Sequence, residues 1–469
     1  MTLILKIIFY IVAMIALWFW TGKFAGEKAT GDKPANPISP MRIALIAVAL
    51  SLGSGLLQPQ SGPGKTSIGY FLDSFYLLER QDDSWAPMKM AIEQLKNEPS
   101  KGLYSELFFS QKVKFQYPTT SLILWDLIQR ITRIPWSVYF KLTNLLSWSL
   151  LLASGLVSGL LLRNAWYKAT GSKRTESRLE IWSYLCVSMG VGFFFYPLSA
   201  SLCFGQIQTT LSFFAISSLL AWQTGHKKLA GILIGLCCTF KPQWIVALIW
   251  GVFRKEFGFA GMVVLVFGLF GIWGGILYGF FQYFDYLPAV QHMSRHGETY
   301  WPNQSINGLM NRLFENGNTL VFQGQSFAPY NLVIHIVTLS FAVLCLGVIF
   351  LKGRGKPQSE FDFSLVLLTL TIVSPIAWEH HYGLLLGLFA VIFPWCLANR
   401  PLGKFTPWAL VLIWVLSCQN FPFLKMFPTS PMNLMMSHLF FTGVFLFGIF
   451  AFKKEKPNSA AIPEAPASI

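Results

Sequence analysis

The sequence predicts an all-α polytopic membrane protein, and three observations support that fold class. Of the 469 residues, 54% are hydrophobic and only 12% are charged. The apolar runs repeatedly approach or exceed the length needed to cross a bilayer. Lysine and arginine fall mostly in the short linkers between these runs, where positive charge favours the cytoplasmic side. No stretch is long and polar enough for a separate soluble domain, so we expect one integral-membrane domain over residues 1–469.

The formal net charge of +15 is explained by retention of basic linkers in the cytoplasm and by anionic lipid headgroups. We therefore expect membrane lipids as partners and no nucleic acid. The cysteines lie in or beside apolar runs without metal-ligand spacing, which predicts small buried hydrophobic side chains, no metal and no cofactor. They are Cys186, Cys203, Cys237, Cys238, Cys345, Cys396 and Cys418.

The apolar runs define about eleven spans. The first, Leu3–Trp20, has no clear small-residue cleavage site, so we interpret it as a retained span rather than a signal peptide. Thr119–Ile134 carries charged residues and is expected to lie in the membrane interface, and residues 457–469 form a flexible tail. The remaining spans are Ile43–Leu57, Trp136–Leu162, Ile181–Leu198, Ile207–Trp222, Phe257–Phe281, Val333–Leu351, Phe363–Ala377, Tyr382–Leu397, Trp408–Cys418 and Leu434–Phe452.

One apolar run breaks the pattern. Leu229–Phe253 has basic residues on both sides and Lys241-Pro242 at its centre. A single crossing helix would place one basic cluster outside, whereas a broken hairpin keeps both inside. Because proline removes a backbone donor, we predict a re-entrant hairpin over residues 229–253 with Lys241-Pro242 at its tip.

Two long polar segments, residues 61–118 and 285–331, are predicted to be external loops that form the functional site. In the first, Trp85–Asn97 has the pattern of an amphipathic helix lying on a surface. In the same loop Asp73 follows an aromatic run, where loss of solvation raises the base strength of a carboxylate. Asp73 is therefore a candidate catalytic base, although on these residues alone the cap of a short interfacial helix is the favoured interpretation. Asp82 and Asp83 are rival carboxylates.

Polar residues recur at the predicted outer ends of several spans. Gln206 lies at a turn between two spans, and Lys241 lies within an apolar run. A lysine in an apolar core costs about 2.5–3.5 kcal/mol, so it usually has a partner or a task, and an ammonium suits a phosphate or a carboxylate. Pairing of Lys241 with an internal acid, or snorkelling of its side chain, remains open. Gln206 is also consistent with a solvated turn.

The second loop contains Asn303, Gln304 and Arg312, which are candidates for substrate binding. Arg295 and Arg312 offer charge-assisted hydrogen bonds to a phosphate. For His292 and His296 an ordinary solvated loop is the better interpretation. Further along, Ser374–Tyr382 has the sequence SPIAWEHHY.

Within that segment, Glu379 precedes two histidines at the end of a span. The three side chains suit a leaving group or an interfacial polar cluster. Adjacent histidines on a helix point in different directions, so we expect at most one of His380 and His381 to face the site, which argues against a two-histidine metal site.

Taken together, four short motifs resemble those of glycosyltransferase family 87. They are Gly205-Gln206, Lys241-Pro242, Asn303-Gln304-Ser305 and the segment from Ser374 to His381. Each is short, but their order and their shared placement toward one face make the set specific. The resemblance extends from Ile43 to about His381.

The resemblance implies a helical bundle of the GT-C type whose long first external loop supplies a general base, for which Asp73 is the matching position. It implies transfer of a hexose, mannose in particular, from a polyprenyl-phosphate donor to a lipid- or glycan-linked acceptor. The reaction would take place at the outer face of the cell membrane, with inversion. Lys241, Arg312 and His380 or His381 would stabilise the departing phosphate, and Gln206 would orient the donor or the acceptor.

Two alternatives from other classes remain open at the level of sequence. A multi-pass transporter or lipid flippase is consistent with a broken hairpin, but such proteins often have internal repeats, and the chain shows none. A structural membrane subunit would leave a buried Lys241 without an explanation. A cavity at the outer edge of the bundle favours the enzyme, and a central gated pore favours transport.

Overall fold

The structure, a computed structural model, describes residues 39–58, 65–74, 83–172, 176–322, 324, 327–352 and 358–453. Within these residues there is no strand, and the single isolated bridge joins Asn303 to Trp378. The all-α prediction is therefore confirmed. The predicted span Leu3–Trp20, the predicted tail and Asp82 lie outside the described residues.

In the first half of the chain, a helix before the first outer loop is followed by short loop helices and then by the long helices that lead to the hairpin. Short π and 3₁₀ turns, Ser105–Ser110 and Thr119–Leu122, lie within the outer loop. The α-helices are α1 Pro40–Leu57, α2 Ser67–Ser74, α3 Trp85–Asn97, α4 Ile123–Thr132, α5 Trp136–Thr170, α6 Arg178–Phe194, α7 Tyr196–Cys203, α8 Gln208–Gln223, α9 Lys227–Phe240 and α10 Ile245–Phe253.

In the second half, long helices again alternate with short ones, and 3₁₀ turns precede α16, α17 and α18. The turn most relevant to function is Glu379–Leu384. The helices are α11 Phe257–Tyr278, α12 Phe281–His296, α13 Ile306–Leu313, α14 Leu332–Leu351, α15 Glu360–Ile372, α16 Leu385–Asn399, α17 Thr406–Cys418 and α18 His438–Phe452.

Several of these helices are long and apolar enough to cross a bilayer, which makes the chain a multi-pass membrane protein. Among the described residues six helical segments meet this criterion, and the bent pair α6–α7 is a candidate seventh. α10 and the segment of α17 are apolar but shorter. The number of about eleven spans stays a prediction.

Burial separates the central helices from those at the lipid-facing periphery. The segment of α16 is 72% buried within the protein, whereas α11 and α14 are each only 22% buried although they are among the most apolar helices. An apolar helix surface that the protein does not cover is stable where lipid covers it. α16 therefore forms the centre of the bundle, and α11 and α14 form its lipid-facing edge.

One end of the bundle, here called the basic end, is closed by ion pairs between helix termini. The ammonium of Lys168 lies 3.2 Å from Glu360, and that of Lys227 lies 2.6 Å from Glu256. Arg254 donates to the carbonyl of Ile349 at the end of α14. Because basic residues between spans favour the cytoplasmic side, this end is the one that we expect to be cytoplasmic.

The chain reverses direction between α9 and α10. The start of α9 is tied to Glu256 by Lys227, and a Cβ atom at Gly231 would lie 2.3 Å from the carbonyl oxygen of Phe259. The end of α10 reaches the same place, since a Cβ at Gly251 would lie 2.7 Å from the Phe259 ring. Lys241 lies at the tip of this reversal. That residues 229–253 form a re-entrant hairpin within a bilayer stays a prediction.

The predicted span Ile181–Leu198 is bent in the structure. α6 ends at Phe194 and α7 begins at Tyr196, and their axes differ by 63°. Phe195 has an extended backbone and Pro197 lies in the first turn of α7. Because proline cannot donate the hydrogen bond that would continue α6, the helix breaks just before it.

The first outer loop contains the predicted amphipathic helix, with the predicted bounds Trp85–Asn97. Its apolar face, including Trp85, Ile92 and Leu95, is buried against the protein rather than placed on a membrane surface. α4, by contrast, leaves Ile128 and Ile131 exposed beside charged residues. That pattern is typical of a helix in the membrane interface, as predicted for Thr119–Ile134.

Close packing of α9 on α11 gives a first testable prediction. We expect Gly231→Ala to destabilise the protein by about 1–3 kcal/mol, because the added methyl group overlaps a backbone carbonyl that cannot move alone. Gly268→Ala on α11 is the matched control, since a Cβ there meets nothing within 4 Å. Thermal unfolding in detergent checks this. Equal midpoints for the two variants would contradict the packing described here.

Candidate active site

A cavity of about 510 Å³ opens at the end of the bundle opposite the basic end. Its walls come from the first outer loop, the turn between α7 and α8, the tip of the hairpin, α12 and the segment that precedes α16. The cavity combines cations, imidazoles and a carboxylate at one end. These polar lining residues include Asp83, Lys112, Lys114, Gln206, Lys241, His380 and His381.

The first outer loop is held on the turn before α8 by a set of hydrogen bonds that we call the clasp. The amides of Asp83 and Ser84 donate to the carbonyls of Phe204 (3.2 Å) and Gly205 (3.3 Å). Ser84 Oγ donates to Gln206 Oε1 (3.0 Å), and Gln206 Nε2 donates to Asp83 Oδ2 (2.8 Å). Gly205 has a φ of +60°, a backbone conformation that suits glycine. The clasp fixes the Asp83 carboxylate at the cavity wall.

Tyr117 completes the clasp from the other end of the outer loop. Its hydroxyl lies 3.0 Å from Ser84 Oγ. A serine hydroxyl has one proton, and that of Ser84 is used on Gln206, so Tyr117 donates to Ser84. Burial raises the pKa of Tyr117 to about 12, which keeps this donor protonated. The orientation of the Gln206 amide, and through it that of Asp83, therefore rests on two hydroxyl groups.

At the tip of the hairpin, Lys241 projects into the same cavity. Its Nζ donates to Gln208 Oε1 at 2.8 Å and lies 2.8 Å from His381 Nε2. Gln208 is two residues from Gln206 in the chain. One short segment therefore contacts both the carboxylate of Asp83 and the ammonium of Lys241. The arrangement holds a cation and an acid on neighbouring parts of one wall.

α12 binds the part of the first outer loop that precedes two further cations of the cavity lining, Lys112 and Lys114. Asp285 Oδ2 accepts from the amides of Tyr104 (2.6 Å) and Ser105 (3.2 Å), and Gln282 bonds both the amide of Leu103 and the carbonyl of Lys101. The two external loops are thus joined to each other. The prediction began the second loop at Asp285, whereas in the structure Asp285 lies within α12.

Lys114 at the cavity wall is paired rather than solvated. Its Nζ lies 2.7 Å from Glu298 and over the rings of Phe322 (4.9 Å) and Phe327 (4.4 Å). The second oxygen of Glu298 accepts from Trp378 Nε1 at 2.7 Å. These contacts connect the first loop, the second loop and the segment that leads to the histidines.

Asp73, the base that the sequence analysis selects, is not among the residues that line the cavity. It lies in α2, where its carboxylate forms an ion pair with the partly exposed Lys65. Asp83, named there as a rival, is the carboxylate that reaches the cavity. The choice between them depends on how the loop folds back on α8, which local sequence does not encode.

Asn303 and Gln304 are completely buried and do not line the cavity. Asn303 Nδ2 donates to the carbonyls of Glu298 and Pro375, and its Oδ1 accepts from the amide of Ala377. Gln304 Nε2 donates to the carbonyl of Met436 at 2.6 Å. Both amides satisfy backbone groups between the loop and the final helices, so their contacts are structural.

Arg312 and Glu379 are likewise internal. The guanidinium of Arg312 donates to the carbonyl of Asn303 (3.0 Å) and to Ser437 Oγ (2.7 Å), and the residue is fully buried. Burial lowers its pKa to about 9. Glu379 accepts from the Tyr196 hydroxyl at 2.6 Å and does not line the cavity. Neither residue is placed to contact a substrate in this cavity.

His380 and His381 both line the cavity, whereas the sequence predicts at most one. Their rings lie 4.8 Å apart at 83° to each other. The segment is a 3₁₀ turn, in which neighbouring side chains diverge by about 120°, so the two rings reach the cavity in different directions. Within the described part of the chain, no three His, Cys, Asp or Glu side chains are grouped so as to hold a metal ion.

Part of the cavity lining is apolar and comes from helices of the bundle. Its walls there are Val246 of α10, Leu346 of α14 and Leu370 of α15. Leu346 lies fourteen residues into α14, so this arm reaches deep among the spans. The cavity therefore combines a polar lining with an apolar arm beside α14, a helix at the lipid-facing edge of the bundle.

The polytopic helical fold is that of a multi-pass membrane protein, and a comparison with protein families identifies its class as a membrane glycosyltransferase. The model of glycosyltransferase family 87 matches residues 115–375, more than half of the chain. The chain belongs to this family, which confirms the resemblance. No curated protein matched the sequence. Asp83 and His381 lie outside the matched range.

Sequence reasoning selected Gln206, Lys241, His380 and His381, which the structure brings to the cavity. It did not select Lys112 and Lys114. The sequence could have predicted these two lysines as site residues, because they are cations close to Tyr117 in a loop already assigned to the site. Asp83 was named only as a rival to Asp73, although it lies two residues before the amphipathic helix α3.

The buried position of Arg312 leads to a prediction that distinguishes a role in stability of the fold from a role in donor binding. We expect Arg312→Gln to lower the free energy of unfolding by about 1–3 kcal/mol, because buried carbonyls lose their charged donor. Lys112→Gln, at the exposed rim of the cavity, is the matched charge change and should leave thermal stability unchanged. If Arg312→Gln instead weakened donor binding at unchanged stability, the structural role would be excluded.

Proposed function

We propose that this chain transfers a hexose, mannose being the sugar that the resemblance implies, from a polyprenyl-phosphate donor to a lipid- or glycan-linked acceptor. The reaction takes place at the end of the bundle opposite the basic end, in the cavity that contains Asp83 and Lys241, and it inverts the anomeric configuration. The observation that carries the proposal is that a carboxylate and an ammonium reach one cavity that also has an apolar arm.

Asp83 is the general base in this proposal, in place of Asp73. It accepts the proton of the acceptor hydroxyl while the hydroxyl oxygen forms its bond to the anomeric carbon. A base acts only within hydrogen-bond reach of that proton, and Asp83 lines the cavity whereas Asp73 does not. Gln206 orients the carboxylate through its 2.8 Å hydrogen bond.

Lys241 stabilises the leaving group. As the bond from the anomeric carbon to the phosphate oxygen breaks, its electron pair passes to the phosphate. A preorganised cation next to that oxygen lowers the barrier, because it acts where negative charge develops. Gln208 and His381 hold the Nζ of Lys241 through the 2.8 Å contacts described above. A direct displacement of this kind inverts the anomeric centre.

The donor is lipid-borne in this proposal because of the apolar arm. An isoprenoid chain would bury apolar surface against Val246, Leu346 and Leu370. A water-soluble nucleotide donor has no comparable apolar group for this arm. The basic end supports an external site, since it contains the linkers expected in the cytoplasm. The cell membrane and its external face are therefore the proposed location.

Asp83→Asn and Asp73→Asn form a matched pair that tests the base. We expect Asp83→Asn to lower kcat by about 10²–10⁴-fold, the range for loss of a general base. Asp73→Asn should retain wild-type turnover, because it removes only a partly exposed ion pair. Turnover is measured with purified protein, polyprenyl-phosphate mannose and candidate acceptors. Normal turnover by Asp83→Asn would exclude the assignment.

Lys241→Met tests the leaving-group role. We expect kcat/KM to fall by roughly 10²–10³-fold, as on loss of one preorganised electrostatic contact. With a sugar donor whose leaving group is a diphosphate, and therefore more stable, the loss should be smaller. Thermal unfolding shows whether the variant is folded. An equal loss with both donors would argue that Lys241 does not contact the departing phosphate.

A further inference from the structure

A groove on the outside of the bundle lies next to the cavity, between α12 and α14. We call it the α12–α14 groove. Its walls are Leu287, Val290 and Ser294 of α12 and His335 and Leu339 of α14, with Arg295 at its rim. Val290 and Ser294 also line the cavity, so the groove and the cavity are neighbours at these two residues.

The lining of the groove is complementary to a lipid with an anionic head group. Arg295 is exposed, and its guanidinium has no hydrogen-bond or ion-pair partner among the described residues. Below it the wall is aliphatic, with Leu287 60% and Leu339 57% exposed. α14 is a peripheral helix and only 22% buried, so this surface faces lipid.

His335 lies in the first turn of α14 and lines the groove beside Arg295. Its Nδ1 is buried without a hydrogen-bond partner in the described part of the chain, so a ligand in the groove meets the accessible edge of the ring and not this atom. Arg295 therefore supplies the charged donors at the polar end of an aliphatic groove, next to an imidazole.

We propose that the α12–α14 groove binds the phosphate of the lipid-linked donor before the donor moves into the cavity, with Arg295 as the main contact. The inference rests on the proposed function for the identity of the lipid. The guanidinium is suited to phosphate because its planar donors match the phosphate oxygens. The isoprenoid chain lies along Leu287 and Leu339, and Val290 and Ser294 mark the point where the groove meets the cavity.

The kinetic test uses Arg295→Gln. We expect KM for the long-chain donor to rise roughly tenfold, the effect of one charge-assisted hydrogen bond, with kcat unchanged. A short-chain, water-soluble donor reaches the cavity without the membrane, so its KM should change less than about twofold by the same reasoning. Arg133→Gln, at another exposed site next to α4, is the matched charge change and should behave like the wild type. Equal changes in KM for both donors would overturn the proposal.

The binding test requires no turnover and so separates this proposal from the proposed function. A photo-crosslinking amino acid at Leu287 should capture polyprenyl phosphate, and Arg295→Gln should reduce that capture several-fold. The same amino acid at Leu344, which is exposed on α14 outside the groove, is the control and should be insensitive to Arg295→Gln.

Arg295-dependent capture in a protein without transfer activity would support the groove while refuting the proposed function. Transfer activity together with capture that does not depend on Arg295 would overturn the groove. Capture of an anionic phospholipid in preference to polyprenyl phosphate would overturn the assignment of its occupant.

Discussion

The account depends on the clasp between the first outer loop and the turn that precedes α8. Without it, the loop that contains Asp83 would be a polar segment with no fixed relation to the membrane-spanning helices. The clasp uses backbone groups of Asp83 and Ser84 for position and the Gln206 side chain for orientation. Because Gln208 follows at once and bonds Lys241, the same turn sets the place of both charged groups. One turn thus connects an external loop to the hairpin.

Polar side chains stabilise the bundle differently at its two ends, and both sets of contacts support that turn. At the basic end, ion pairs tie helix termini together. At the opposite end, buried amides and Arg312 satisfy backbone carbonyls between loops. Groups of this kind fix loop geometry because a buried carbonyl without a donor is costly. The charged residues of the cavity lining are held in place by neighbouring side chains, and the apolar arm between α14 and α15 is compatible with a lipid chain.

Much of the helical fold follows from the sequence, and the differences between the expected and the observed positions of the candidate site residues have a common physical cause. Apolar length predicted the spanning helices, and a lysine-proline pair between two basic flanks predicted the reversal at Lys241. Residue type also identified polar positions, but it did not reveal their partners. Asn303, Gln304 and Arg312 look like ligands for a sugar phosphate, and they are instead bonded to backbone groups in the interior. Tertiary position distinguishes Asp73 from Asp83, since Asp73 pairs with Lys65 and Asp83 accepts a hydrogen bond from Gln206.

The most direct test of the central claim is a structure of the protein with a non-hydrolysable polyprenyl-phosphate sugar bound. The account predicts a phosphate oxygen within hydrogen-bond distance of Lys241 Nζ, about 2.7–3.2 Å, with the isoprenoid chain in the apolar arm and Asp83 on the acceptor side of the anomeric carbon. A phosphate bound beside Asp73 and away from Lys241, or on the side of the basic end, would contradict it.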